Sequence, residues 1–492
     1  MVASPDSSTQ STQSISSNFT KPAWFRAIAQ PANEFPLTPL SVVSGELPAG
    51  LQGSLYRNGP GRLERGGESV GHWFDGDGAV LAVHFSSEGA TATYRYVRTA
   101  GYVVEDALDQ FLYGGYGMTP PGALWERWGK SVKNAANTSV LGLPDRLLAL
   151  WEGGNPHALD LEDLSTVGRD DRQGALSDNL AYSAHPKRDP ITGEIYNFGL
   201  TPGLNSTLNL YRSDRTGKIL QHTTVELKGT PLVHDFVLAG RYLIFCAPPV
   251  QIKLFPVGLQ LQSFSDAMQW QPQQGTQVIV IDRESLTEVS RSTADPWFQW
   301  HFSNGYEDVE GHVVLDVLRY ADFKTNQYLQ EIPTGDPQTS TKATFWRVRL
   351  DPQTGKVLSQ EELLDRGCEF AVVKPHQTGQ EADAVFLNIH RPEANPQREL
   401  FGAIARFSPE TQDLTVADMG SDRYPSEPLY APDPHDPNQG WVLTVVFDGT
   451  TDTSELWIFD ADGLDGEPVC RLQLPSIIPH SFHGTWVAGV TS

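Results

Sequence analysis

The chain has 492 residues, of which 39% are hydrophobic, and a formal net charge of -24. Its length suits either one large repetitive domain or a few ordinary ones. The acidic balance, without clustered Lys and Arg, argues against a nucleic-acid partner. The 44 Gly and 35 Pro favour short strands and many turns over helices, so the composition predicts an all-β body.

The chain opens on a Ser-, Thr- and Gln-rich stretch that lacks the apolar segment of a secretory signal. We therefore expect residues 1–34 to be a disordered tail and lead-in, and residues 35–492 to be a single domain. No stretch approaches the roughly 18 apolar residues of a membrane-spanning helix. The three cysteines, Cys246, Cys368 and Cys470, are far apart and odd in number, which favours a reducing compartment over a disulfide framework.

Two stretches are candidates for contact with a membrane surface. Residues 109–134 mix aromatic and basic side chains, as interfacial segments do. Residues 250–264 form a second apolar stretch with little charge, for which core packing is an equally good interpretation. The first stretch therefore predicts peripheral membrane association, and the second is compatible with it.

A repeated pattern dominates the rest of the chain. A short polar turn with Gly precedes a strand of aromatic and β-branched residues, at a spacing of roughly 45 to 70 residues. Examples are "DPITGEIYNFGL", "LAGRYLIFCAP", "VEGHVVLDVLR", "TGQEADAVFLNIH" and "PNQGWVLTVVFDG". This pattern predicts a β-propeller of roughly six to eight blades, with a two-sheet sandwich as the alternative.

Histidines and glutamates stand shortly before several of these turns. The inner strands of propeller blades converge on one axis, so residues far apart in sequence meet there. The histidines are too widely spaced for a local zinc motif, and several of the 13 histidines must be surface or core residues. Four imidazoles suit Fe, Cu, Ni or Zn; octahedral iron would keep two open positions, whereas zinc would tend to a closed site. The candidates are His185, His234, His301 and His483, with Glu152, Glu369 and Glu427 either as hydrogen-bond partners of the imidazoles or as ordinary blade-edge charges.

A set of longer motifs runs from about residue 35 to the end of the chain: "LQGSLYRNGPG", "HWFDGDGAV", "NAANTSV", "DRLLALWEGGNPHALD", "SAHPKRDP", "VHDF", "FQWHFSNGYED", "SEPLYAPDP" and "FHGTW". In these motifs the chain resembles the carotenoid cleavage oxygenases, and most of all their cyanobacterial apocarotenoid branch. The resemblance implies a seven-bladed propeller, with a few helices and long loops forming a cap over an axial metal site. It also implies Fe(II) held by His185, His234, His301 and His483, and cleavage of a conjugated C=C bond with O2 into two carbonyl products.

By the same resemblance, Glu152, Glu369 and Glu427 orient the ligands, and one histidine, His185, has to find another partner. Thr138 of the "ANT" motif is implied to restrict an open position on the iron, although it could equally be an ordinary strand threonine.

The sequence departs from the family pattern at three positions. Gly305 stands where the family usually has Ala, Ser481 where it usually has Gly, and His480 is an additional histidine. None of these changes removes a ligand. If residues 480–483 are extended, His480 points away from His483 and is a packing or lining residue.

The resemblance implies a lipophilic polyene substrate in an apolar tunnel. Stilbene-cleaving members resemble "LALKE" where this chain has "LALWE", and Trp151 cannot replace a cationic lysine, so polyenes are favoured. We expect central 15,15' cleavage of an apocarotenoid to retinal, with eccentric cleavage such as 9,10 as an alternative. Rival classes are a metal-free carotenoid carrier and a retinoid isomerase or hydrolase. We expect a cytoplasmic monomer, with Phe111, Leu112, Tyr113, Trp125, Trp128, Trp151, Leu254 and Phe255 facing the tunnel or the membrane.

Overall fold

The computed structural model describes residues 21–489. The strands of the first half are β1 Phe35–Pro39, β2 Ser41–Gly45, β3 Gly53–Arg62, β4 Glu64–Arg65, β5 Glu68–Ser69, β6 Asp77–Ser86, β7 Gly89–Tyr96, β8 Ser139–Gly142, β9 Leu147–Leu150, β10 His157–Leu159, β11 Thr166–Arg169, β12 Lys187–Arg188, β13 Ile195–Thr201, β14 Asn205–Ser213, β15 Ile219–Lys228, β16 Val237–Ala239 and β17 Tyr242–Ala247.

The second half continues the same architecture. Its strands are β18 Val250–Ile252, β19 Met268–Trp270, β20 Thr276–Asp282, β21 Thr287–Ala294, β22 Phe302–Glu307, β23 Val313–Tyr320, β24 Ala343–Leu350, β25 Val357–Leu364, β26 Cys368–Val373, β27 Val385–Ile389, β28 Ala403–Phe407, β29 Leu414–Asp418, β30 Arg423–Pro425, β31 Leu429–Pro432, β32 Gly440–Asp448, β33 Thr453–Asp460, β34 Cys470–Gln473 and β35 Gly484–Ala488.

These strands form a seven-bladed propeller, which confirms the predicted fold and excludes the sandwich. In strand order, blade 1 is β1-β7-β6-β3-β35, blade 2 is β11-β10-β9-β8, and blade 3 is β12-β13-β14-β15. Blade 4 is β16-β17-β20-β21, blade 5 is β22-β23-β24-β25, and blade 6 is β26-β27-β28-β29. Blade 7 is β2-β34-β33-β32-β30, with β31 also paired to β32. The innermost strands β35, β8, β16, β22, β26 and β31 contact one another around the axis.

The ring is closed twice by the ends of the described chain. β35 pairs antiparallel with β3 of blade 1, with Leu55 opposite Trp486. β2 pairs antiparallel with β34 of blade 7.

The core lies between neighbouring blades, because side chains alternate along each strand and both faces of a blade are covered. β17 is an example. Leu243 and Phe245 belong to the apolar cluster between blades 3 and 4, whereas Ile244 and Cys246 belong to the one between blades 4 and 5. Continuous apolar runs such as "YLIFCA" are therefore explained by a strand that is buried on both sides.

Helices are few and lie in the connections. The α-helices are α1 Ala100–Leu108, α2 Leu124–Arg127, α3 Leu254–Gly258 and α4 Lys324–Glu331, and the 3₁₀ helices are Ala23–Ala27, Trp73–Asp75, Pro272–Gln274, Ile332–Thr334 and Pro375–Gln377. None of the helices within residues 21–489 has the length and apolarity needed to span a membrane.

The predicted domain boundary needs a correction, because part of the lead-in is packed. Trp24 is fully buried in a cluster with Ile332, Tyr424 and Phe482, and its indole N–H donates to the carbonyl of Arg398. A tryptophan in an otherwise polar segment was the sequence signal for this packing. Burial of its large apolar surface explains why the segment around it is ordered. Residues 1–20 lie outside the described part of the chain.

Candidate metal centre and cavity

The four candidate histidines occupy equivalent places in four blades. His185, His234, His301 and His483 each stand one to three residues before an innermost strand: β12, β16, β22 and β35, respectively. Thr138 takes the same place immediately before β8 of blade 2. The blade repeat therefore directs all of these residues to one end of the axis.

The imidazoles of the four histidines meet. Nε2 of His234 lies 3.0 Å from Nε2 of His185 and 3.4 Å from Nε2 of His301. These three residues each offer one ligand atom, and the three atoms lie within 4.8 Å of one another. The ring of His483 lies beside them, with its centroid 4.8 Å from that of His185 and 4.7 Å from that of His301.

Three carboxylates hold the outer nitrogens of three of these rings. Nδ1 of His301 is 2.7 Å from Oε2 of Glu369, and Nδ1 of His483 is 2.8 Å from Oε1 of Glu427. Oε1 of Glu152 contacts Nδ1 of His234.

His185 has no such carboxylate among the described residues. Its backbone N–H donates to the hydroxyl of Ser183.

The chemistry of this donor set fits a cation. A neutral imidazole that donates from Nδ1 to a carboxylate presents a lone pair at Nε2. The Nε2 atoms of His234 and His301 face each other, so two lone pairs would oppose across 3.4 Å without something positive between them. Four neutral nitrogens on one centre suit Fe, Cu, Ni or Zn.

Burial and neighbouring charges set the protonation of the group. Burial, and then the neighbouring imidazoles, lower the pKa of His185 well below its usual range. Burial also lowers the pKa of His301, but the carboxylates of Glu369, Asp235 and Glu427 together raise it by more, so the net direction is upward. Burial raises the pKa of Glu427, but His483, Arg57 and the backbone N–H of Gly484 together lower it by more. The net direction is downward, which keeps this carboxylate ionised.

A cavity of about 380 Å³ adjoins the histidines. Its walls are largely aromatic and aliphatic and include Phe74, with the rings of Trp300 and Phe370 next to those of His234 and His301. Thr138 and Trp151 both line it. Such a concave apolar space with a few convergent polar groups is typical of small-molecule sites.

Thr138 is fixed at the edge of the histidine cluster. Its carbonyl accepts the backbone N–H of His483 at 3.3 Å, and its hydroxyl donates to Oδ1 of Asn137 at 3.1 Å. The side chain is therefore not free to swing away from the cluster.

The predicted tunnel and membrane residues divide into four groups. Trp151 lines the cavity, whereas the other seven do not. Trp125, Trp128 and Phe255 are 76%, 66% and 78% exposed, and Leu112, Tyr113 and Leu254 are half-buried.

Phe111 contradicts the prediction, because it is a core residue. Its ring packs in the cluster of Trp24 and lies under the ammonium of Lys133 at 5.9 Å. Lys133 is itself buried between Asp77 and Glu105, so this end of the loop is an anchor and not a free surface.

The three departures from the family pattern have local structural explanations. Nε2 of His480 contacts the carbonyl of Trp24 at 3.0 Å, and the hydroxyl of Ser481 accepts Nε of Arg57 at 2.9 Å. At position 305, a Cβ would lie 2.4 Å from Cγ1 of Val237, so the glycine leaves space for its neighbour. β35 begins only at Gly484, so residues 480–483 precede this strand and are not part of it.

Phe370 is a site residue that sequence reasoning missed. Its ring lies 5.6 Å from that of His301 and 5.4 Å from that of His483, and its backbone has φ of 57°. A bulky residue in the left-handed region is costly and marks a constrained position. Its place directly after Glu369 was the available signal.

Comparison with known proteins agrees with this geometry. The family model described as RPE65, retinal pigment epithelial membrane protein, matches residues 28–488. The apocarotenoid-15,15'-oxygenase of Synechocystis sp. is 32% identical, covering 99% of both chains. Resveratrol cleavage oxygenase 1 of Aspergillus fumigatus is 28% identical, covering 91% of this chain and 92% of that protein.

A solved structure matches equally well. The crystal structure of cobalt-substituted Synechocystis ACO superposes with a TM-score of 0.86 at 31% identity, covering 95% of this chain and 98% of that one. This protein thus belongs to the family of retinal pigment epithelial membrane protein and the carotenoid oxygenases, whose members include carotenoid and apocarotenoid cleavage dioxygenases.

Proposed function

We propose that this protein is an Fe(II)-dependent dioxygenase that cleaves the central 15,15' double bond of an apocarotenoid with O2 and releases retinal. The observation that carries the proposal is the convergence of the Nε2 atoms of His185, His234 and His301 at the wall of an apolar cavity. Full-length similarity to an apocarotenoid-15,15'-oxygenase supports the substrate class.

The ligands in this proposal are His185, His234, His301 and His483. Bound there, Fe(II) would supply the redox chemistry that activates dioxygen. Glu152, Glu369 and Glu427 hold the imidazole tautomers that present Nε2 inward. Thr138, beside His483, narrows the approach to the centre.

The cavity wall binds and orients the polyene. Phe74 and Trp300 stack edge-to-face at 5.5 Å and supply a rigid apolar surface. A conjugated chain held against such a wall is shielded from water, and its position along the wall selects the bond that is cleaved.

Two alternative reactions remain within the same site. Eccentric cleavage, such as at the 9,10 bond, requires only a different register of the chain along the cavity. Stilbene cleavage is supported by the similarity to the resveratrol enzyme. It is disfavoured by Trp151, which brings no charge to the cavity for a phenolic oxygen.

We further propose a cytoplasmic monomer that takes its substrate from a membrane surface. Nη1 of Arg127 donates to the carbonyl of Gln260, and Nε2 of Gln260 donates to the carbonyl of Lys130, so the two predicted surface loops are joined. The joined loops expose Trp125, Trp128 and Phe255, and Val132 and Phe264 of the same loops line the cavity. A lipid-dissolved substrate would enter there.

The test is aerobic incubation of Fe(II)-loaded protein with a panel of apocarotenals, carotenoids and stilbenes, followed by product mass. We expect two carbonyl products, of which one is retinal, and stoichiometric uptake of O2. Tight polyene binding without cleavage or iron would instead identify a carrier. A product formed without O2 uptake would identify an isomerase or hydrolase.

A further inference from the structure

One wall of the cavity runs from the histidine cluster along Phe370 and Phe401 to His390. The ring of Phe370 lies 5.4 Å from that of His483, Phe401 lies 6.4 Å from Phe370, and His390 lies 4.5 Å from Phe401. All of them line the cavity. An elongated substrate that crosses the centre would therefore reach His390 along an aromatic wall.

His390 is held firmly at this end. Its backbone N–H donates to the carbonyl of Gly367 at 2.9 Å, and its own carbonyl accepts Nε of Arg366 at 2.7 Å. Its ring leans on Phe401 with an interplanar angle of 40°. The imidazole is thus preorganised by its surroundings.

The side chain nevertheless has unused hydrogen-bonding capacity. Nδ1 of His390 is buried and has no hydrogen-bond partner within residues 21–489. A buried polar atom without a partner destabilises the fold, so such atoms usually serve a ligand or a water molecule.

A second polar group points the same way along the strand. Asn388 lies two residues before His390, on the same face of the chain, and also lines the cavity. Its Nδ2 donates to the carbonyl of Pro425, whereas its Oδ1 is without a partner in the described part of the chain. Two residues with orphaned polar atoms thus line this part of the cavity, together with Thr341 and Lys342 and among largely aromatic and aliphatic side chains.

Gly367 keeps the space beside His390 open. A Cβ at this position would lie 2.8 Å from Cδ2 of His390 and 3.4 Å from Cγ of Lys342. The φ of this glycine is not in the left-handed region, so its role is to leave space.

We propose that His390, assisted by Asn388, binds the oxygen-bearing end of the substrate and makes the enzyme selective for oxygenated polyenes over hydrocarbon ones. This inference deepens the proposed function and rests on it. The shared chemistry is a hydroxyl or carbonyl oxygen, present either on the ring of an apocarotenoid or at its chain end.

The protonation of His390 suits a neutral oxygen. Burial, and then the nearby Arg366, lower the pKa of His390 to about 4, so the ring is neutral near pH 7. A neutral imidazole has one N–H donor and one acceptor nitrogen, which pairs with a hydroxyl or carbonyl and gives a carboxylate no ionic partner.

The test measures binding without oxygen, so that it does not depend on cleavage. Dissociation constants are determined anaerobically by quenching of tryptophan fluorescence, with iron-loaded protein and two matched substrate pairs. One pair differs only by a ring hydroxyl, and the other only by an aldehyde or a methyl group at the chain end. Wild type should prefer the oxygenated member of one pair, and that pair identifies the end of the substrate that His390 contacts.

Three variants complete the test. H390L should lower that preference about tenfold, the usual effect of losing a hydrogen bond in a buried site. H390Q, which keeps a donor and an acceptor, should retain most of it. F401L changes the same wall without a polar group and should weaken both members of a pair equally.

The outcomes are separable. An unchanged preference in H390L, or no preference by wild type in either pair, would overturn the role of His390. Selective binding by wild type with no aerobic product would instead refute the proposed cleavage reaction and leave the role of His390 standing.

Discussion

Glu427 bridges the last candidate ligand to the strand that closes the propeller. One of its carboxylate oxygens lies 2.8 Å from Nδ1 of His483, and the other accepts the backbone N–H of Gly484 at 2.8 Å. The same carboxylate therefore orients the imidazole and fixes the start of β35, although Glu427 and His483 are 56 positions apart in sequence.

Replacing this carboxylate should weaken the metal centre. In E427Q, an amide N–H₂ would face either His483 Nδ1–H or the backbone N–H of Gly484, so one of the two hydrogen bonds is lost. We expect iron affinity to fall about 10- to 100-fold, as for other partners of metal-bound histidines. Competition with a chelator measures the affinity. E455Q, a buried glutamate bonded to Arg471 in blade 7, is the control and should bind iron as wild type does.

Substitution of His483 and of His480 should have different effects on iron binding. H483A removes a proposed ligand and should lose stoichiometric iron. H480A should keep it, because His480 contacts the Trp24 carbonyl and packs against Tyr424 and Phe447. Its loss should lower the free energy of unfolding by about 2 to 3 kcal/mol through the cavity and the lost hydrogen bond. Iron analysis and thermal unfolding measure the two effects, and full iron in H483A would contradict the ligand assignment.

His72 should make the protein acid-sensitive. Its Nδ1 accepts the backbone N–H of Phe74, and its Nε2 faces the carbonyl of Asn326, so the neutral ring is fully satisfied. Burial lowers its pKa to about 3. In the unfolded chain the pKa of this histidine is near 6.5. Between about pH 3 and pH 6.5 the unfolded chain therefore binds more protons than the folded protein, so the free energy of unfolding falls as the pH drops through this range.

The variant H72Q should reduce the slope of the free energy of unfolding against pH by an amount that corresponds to at most one bound proton. Urea unfolding at several pH values from about 6.5 downward gives the slope. The buried carboxyl of Asp75, whose pKa burial raises to about 6, acts in the opposite sense, but it is common to both proteins and cancels in the comparison. H435Q, at an exposed histidine, should leave the slope unchanged. Equal slopes in H72Q and wild type would disprove the assignment.

The exposed aromatic residues should bind membranes. The triple variant W125S/W128S/F255S should lose most of its binding to phospholipid vesicles, because it removes three large apolar side chains from one surface. Co-sedimentation measures the binding. V309S is the control, since Val309 is fully exposed in the β22–β23 turn, at the end of these strands opposite the cavity. Equal loss in both variants, or none in the triple variant, would argue against a membrane face.

The sequence by itself determined the repeat and the residue types of the site. Apolar strands that recur after Gly-containing turns predicted a propeller, because such a repeat is visible directly in the order of residues. The family motifs then identified His185, His234, His301 and His483 as candidates, since each stands at the same point of a repeat.

Only the tertiary structure decided which side chains face inward at the ends of those repeats. Phe111 and Trp24 lie in polar or surface-like segments but are buried, because distant elements close over them. The last strand begins only at Gly484, directly after His483, and Phe370 enters the site through a left-handed backbone. Loop conformation and burial depend on contacts between blades, which local patterns do not encode, so the cavity and its His390 end became visible only in three dimensions.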